Sequence, residues 1–207
     1  MSKATKNKAS IAAVLGASGS GKSTFVKRAI EQGRPKRLLI SDPMREYTGV
    51  GVVCSHLAQV VGMIEKSGAD GFRIVFHYAA DDKLRARQFN ALCAIALAAG
   101  NLTFVAEELK FFTTPSRAPL RWAEVTMTGR HKGLRVIGTS QRPASIDKDF
   151  LGNCTLIRTG RLVYPEDISA VAKAMRVPEA EIEALAPLDW IEKDMQSGKK
   201  ISGRLTF

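Results

Sequence analysis

Gly16-Ala17-Ser18-Gly19-Ser20-Gly21-Lys22-Ser23 follows the apolar run Ile11 to Leu15 and leads into the helical pattern Lys22 to Gln32. The octet fits G-x-x-x-x-G-K-[ST], and its setting, strand before and helix after, is the one that pattern requires. Glycines let successive backbone N–H groups turn toward phosphate oxygens, and the helix adds its positive end. Gly16, Ala17, Ser18, Gly19, Ser20, Gly21, Lys22, Ser23 and Thr24 are therefore expected to hold a nucleoside triphosphate. Lys22 should reach its β- and γ-phosphates, and Ser23 should place its hydroxyl on Mg²⁺.

Outward from this loop, apolar runs alternate with helical patterns, which predicts an α/β fold with a mostly parallel sheet flanked by helices. The expected strands are Ile11 to Leu15, Arg37 to Ile40, Phe72 to His77, Leu102 to Ala106, Leu134 to Thr139 and Thr155 to Thr159. Most are apolar at successive positions, as strands buried on both faces must be. Helices are expected over Lys22 to Gln32 closed by Gly33, Leu57 to Lys66 closed by Gly68, and Asp82 to Ala99 closed by Gly100. Further helices are expected from Pro165 to Met175 and from Glu179 to Leu185. Phe111 to Ala118 reads as a loop before a helix ending near Gly129, and Gly198 to Phe207 as a final edge strand.

The 207 residues are 45% apolar and 25% charged, which suits one α/β core over 10–207 behind a basic flexible tail at 1–9. A formal charge of +11 favours a polyanionic partner, nucleic acid before an acidic membrane surface. Cys54, Cys93 and Cys154 form no C-x-x-C pair, and His56, His77 and His131 have no ligand spacing. Neither a disulfide framework nor zinc is indicated. The apolar stretch around Ala91 to Ala99 is well short of the ~20 residues that span a bilayer, so the expected location is cytoplasmic.

Hydrolysis needs a group that activates water. Leu102-Thr103-Phe104-Val105-Ala106-Glu107-Glu108 is an apolar strand ending in two acids, at the end where such sheets bind ligands. It resembles a Walker B motif. On that match Glu107 stands where an Asp usually holds Mg²⁺ through its water shell, and Glu108 is the base for the attacking water. The two roles may be read in exchange, and an acidic pair also suits the first turn of a solvated helix. A third strand, Leu134 to Thr139, runs into Ser140-Gln141-Arg142-Pro143, where Gln141 is placed to sense the γ-phosphate or hold the water.

In order, these elements resemble the FtsK/HerA superfamily of DNA-pumping ATPases, and most closely its small viral genome-packaging members. The resemblance rests further on Leu38-Leu39-Ile40-Ser41-Asp42-Pro43, similar to the family's second strand, and on Gly129-Arg130-His131-Lys132-Gly133 through Pro143. It implies ATP and Mg²⁺ as cofactors, a RecA-like (ASCE) P-loop core, and a homo-pentameric or homo-hexameric ring on double-stranded DNA, with capsid or portal proteins as further partners. The location it implies is the host cytoplasm or a virion vertex. It also implies a Walker B strand whose neighbours exclude the strand following the phosphate loop, and an arginine lent by the adjoining subunit. Arg158 is the first candidate and Arg130 the second, with Arg142 and Arg161 also near. Lys110, Arg117, Arg121, Arg130, Lys132 and Arg135 form a basic region suited to DNA phosphates without base reading.

Other classes share the phosphate loop. A small nucleotide or metabolite kinase has this length but needs an acceptor pocket and no water-activating carboxylate. A partition or regulatory protein would use ATP as a switch; no helix-turn-helix signature follows the core.

Overall fold

The computed structural model describes residues 10–68 and 70–206. The tail expected over 1–9 and Phe207 of the expected last strand lie outside the described residues. The chain runs β1 (Ser10–Leu15), α1 (Lys22–Gly33), β2 (Arg37–Ser41), β3 (Val52–Cys54), α2 (Leu57–Ser67), β4 (Phe72–Phe76), α3 (Asp82–Ala99) and β5 (Thr103–Ala106). It continues through α4 (Leu120–Thr128), β6 (Arg135–Ser140), α5 (Lys148–Asn153), β7 (Leu156–Gly160), α6 (Pro165–Met175), α7 (Glu179–Glu183), β8 (Asp189–Asp194) and β9 (Lys200–Arg204).

One sheet takes the order β3-β4-β2-β5-β6-β1-β7-β8-β9. Pairing is parallel from β3 to β7, β8 pairs antiparallel with β7, and β9 pairs antiparallel with β8. This is the RecA-like arrangement of P-loop NTPases. The register sets Leu15 beside Ser140 and Ser41 beside Ala106, so the carboxyl ends of β1, β6, β5 and β2 share one edge.

β5 pairs directly with β2, which corrects the expectation that it avoids the strand following the phosphate loop. The reason is that β6 sits between β1 and β5, leaving the other side of β5 for β2. The close of α1 also differs: Gly33 lies within the last turn, and Arg34 adopts the left-handed conformation at φ 40.

α1 covers one face of the sheet, where Val26 and Ile30 pack on Val14, Leu38, Ile40, Val75 and Val105. The opposite face carries the larger core, to which α2 through α7 contribute. There Phe89 stacks on Phe112 with centroids 4.0 Å apart, and Trp122 meets Phe150 at 5.4 Å. Such aromatic pairs contribute about 0.5–1.5 kcal/mol each beyond their burial. The cysteines are free and buried. Among the described residues no helix is long and apolar enough to cross a membrane.

Candidate nucleotide site

β1 delivers the chain to Gly16, whose φ of +142 and whose neighbour Ser20, with Oγ 2.6 Å from where a Cβ would sit, leave room for no side chain. Gly21 caps α1 at φ +86, and a Cβ there would lie 2.4 Å from Leu205 Cδ2. The loop is tied to its neighbours by Gly16 N–H to Ser140 O at 3.2 Å and Ala17 N–H to Arg161 O at 2.8 Å. Lys22, 8% exposed, donates to Gly16 O at 2.8 Å and Ala17 O at 3.1 Å. An ammonium has three protons, so one stays available for a phosphate oxygen. Burial lowers the Lys22 pKa, while Glu108, Glu107 and Glu46 oppose that shift.

Both acids at the end of β5 are buried, which removes the reading of a solvated helix start. Glu107 donates its N–H to Ser41 O at 3.0 Å, and its carboxylate accepts the Tyr47 hydroxyl at 2.8 Å. Burial raises its pKa to about 7 against hydrogen bonds from Tyr47 and Thr139. Glu108 stands at φ 44, ψ 70, a left-handed conformation unusual for a residue with a Cβ. The surroundings enforce it. Its N–H reaches Thr139 Oγ1 at 3.0 Å, and its carboxylate accepts the Gln141 N–H at 3.1 and 3.3 Å and the Ser140 hydroxyl at 3.2 Å. Burial raises the Glu108 pKa, and the Gln141 N–H, Lys22, Ser140 and Lys110 hold it down.

β6 lies between β5 and β1, so its end brings Gln141 between Glu108 and the phosphate loop. A cavity of about 240 Å³ opens there, lined by Met44, Glu108, Lys110, Phe111, Gln141 and Arg142. Arg142 Nε donates to Asp167 Oδ2 at 2.7 Å, and its guanidinium lies 3.9 Å from the Tyr164 ring centroid. Asp167 also accepts the Ala144 N–H at 2.9 Å, which fastens the segment after β6 to the first turn of α6.

The loop after β2 contributes residues absent from the expected site. Asp42 is fully buried and accepts the N–H groups of Glu46 at 3.0 Å and Tyr47 at 2.9 Å. The resulting turn sets the Glu46 carboxylate on the Ser23 hydroxyl and the Tyr47 hydroxyl on Glu107. Asp42-Pro43 was the visible signal, and an acid four residues beyond Asp42 belongs to the same turn.

The arginines separate. Arg158 is 8% exposed, pairs with Glu192 at 3.2 Å, and lies between Phe25 and Trp190 at 3.9 and 3.6 Å. That is the setting of a packing residue. Arg130 is exposed, but it precedes β6 and so lies at the opposite end of the sheet from the phosphate loop. The expectation that it lies near the ligand-binding strand ends is corrected: the register carries it a full strand length away. The basic region divides likewise. Lys110, Arg117 and Arg121 follow β5, whereas Arg130, Lys132 and Arg135 belong to the strand-start end.

The arrangement fits a nucleoside triphosphate with its cation: a cradle closed to side chains at Gly16 and Gly21, a lysine with a spare donor, a serine hydroxyl and facing carboxylates. No protein-family model matches the chain. Protein P9 of Pseudoalteromonas phage PM2 is 25% identical over 172 residues, covering 83% of this chain and 78% of that protein. The genome packaging NTPase B204 from Sulfolobus turreted icosahedral virus 2, in complex with AMPPCP, is similar at a TM-score of 0.76 and 18% identity, covering 96% of this chain and 98% of that one. VirB4 of Thermoanaerobacter pseudethanolicus is similar at a TM-score of 0.75 and 13% identity, covering 100% and 92%. These likenesses show that the chain shares its fold with a genome packaging NTPase and with VirB4 over nearly its whole length.

Proposed function

We propose that the chain is an ATP-driven double-stranded DNA translocase, a genome-packaging motor subunit that hydrolyses ATP within a homo-pentameric or homo-hexameric ring. The observation that carries this is the row of strand ends β5, β6 and β1, which aligns Glu108, Gln141 and the phosphate loop on one edge. The likeness to a genome packaging NTPase supports the choice of cargo.

Residues Gly16 to Thr24 hold the triphosphate, and Lys22 contacts its β- and γ-phosphates. Ser23 and Glu107 attend the cation, which supplies charge compensation as the γ-phosphate departs. Glu108 takes the proton of the attacking water, and Gln141 orients that water. The cavity beside Glu108 and Gln141 has room for an arginine from the adjoining subunit. Arg130 is the candidate, because it is exposed, makes no ion pair among the described residues, and lies too far away to serve its own site. Lys110, Arg117 and Arg121 follow the catalytic strand directly and contact DNA phosphates, so a change at Glu108 is felt two residues from a DNA contact.

Hydrolysis measured with and without duplex DNA tests this reading. DNA of two unrelated sequences should raise the rate by about tenfold or more, as an assembled ring gains its arginine. The stimulation should fade as salt rises, because phosphate contacts release counterions. Phosphoryl transfer to a nucleoside monophosphate with no response to DNA would favour the kinase and overturn the proposal.

A further inference from the structure

We propose that Glu46, rather than Glu107, is the carboxylate that holds the Ser23 hydroxyl in place for a divalent cation bound with the triphosphate. The inference rests on the nucleotide site proposed above and assigns a role to a residue outside its sequence motifs.

A serine hydroxyl has one proton and two acceptor lone pairs. To coordinate a cation it must aim a lone pair at the metal, so its proton needs an acceptor on the other side. In this structure that acceptor is Glu46 Oε2. Glu107 is engaged elsewhere: its Oε2 accepts the Tyr47 hydroxyl at 2.8 Å.

The position of Glu46 is built by the fold. Asp42, at the end of β2, accepts the main-chain N–H of Glu46 at 3.0 Å and of Tyr47 at 2.9 Å, which fixes both residues in one turn. Tyr47 is fully buried in the α1-side core, so the turn is anchored by packing as well. His77, the residue after β4, places its Nε2 3.4 Å from Asp42 Oδ2. Adjacent side chains of one turn therefore serve two groups of the site: Glu46 orients the cation's serine, and Tyr47 orients Glu107. Partners that orient a metal ligand typically contribute about 10–100-fold in metal affinity.

The test is a titration of the full chain with a fluorescent methylanthraniloyl ATP analogue, with Mg²⁺ and with EDTA. In the wild type Mg²⁺ should tighten binding, and Ser23→Ala should remove that gain. Glu46→Ala, which removes the acceptor, should cut the gain by about 10–100-fold while binding in EDTA persists. Glu46→Asp keeps the charge but withdraws it by one methylene, and should lose the gain as well. Melting curves without nucleotide identify any variant that fails to fold, and whichever Glu46 variant folds carries the comparison. A full Mg²⁺ gain in Glu46→Ala or Glu46→Asp overturns the assignment. A wild type that binds no analogue under either condition overturns the nucleotide site itself.

Discussion

Glu108→Gln should lower steady-state ATP hydrolysis by about 10²–10⁴-fold, the range for loss of a positioned general base. The amide keeps the size of the side chain and can still accept the Gln141 N–H and the Ser140 hydroxyl, so the pocket should persist. What it loses is the ability to take a proton. A general base works best with a pKa drawn toward the working pH, and burial raises that of Glu108 in this direction. The left-handed backbone at Glu108 agrees, since strain of this kind clusters at active sites and persists only where the surroundings enforce it. Binding of the fluorescent ATP analogue should change little in the same variant. A rate within about threefold of wild type would move the base elsewhere, Glu107 first.

Arg158→Ala should destabilise the fold by about 3–5 kcal/mol, read as a lowered midpoint in urea unfolding. The guanidinium fills the space between Phe25 of α1 and Trp190 of β8, and its removal leaves the Glu192 carboxylate without this partner. Arg158→Lys should recover only part of the loss, because an ammonium cannot lie flat between two rings as a guanidinium does. A residue lent to a neighbouring subunit behaves otherwise: its loss reduces hydrolysis in the ring and leaves monomer stability unchanged. Normal stability with a reduced rate would restore Arg158 to that role.

The parallel strands were legible because both their faces are buried, so that Leu38, Leu39 and Ile40 are apolar in succession. β3 and β8 were not. β3 is three residues long, on a sheet edge, with Val52 and Val53 exposed. In β8 only Ile191 is buried, and charged residues fill most other positions, so neither face carries an apolar row. α5 spans six residues, too few for a helical period to register. In the site, the phosphate loop, Glu107-Glu108 and Gln141 could be read because each ends or follows an apolar strand. Glu46 could not: it reaches Ser23 through a turn organised by Asp42, and no local pattern records that contact. The packing of Arg158 was hidden for the same reason, since its sequence neighbours say nothing of Phe25 or Trp190.

Hydrolysis at this edge of the sheet should move duplex DNA, and displacement of a labelled third strand annealed to a duplex measures that movement. Wild-type protein with ATP and Mg²⁺ should release the third strand regardless of the flanking sequence, and Glu108→Gln, though it binds ATP, should not. Equal release by the wild type and by Glu108→Gln, or none from a wild type whose hydrolysis duplex DNA stimulates, would contradict the account.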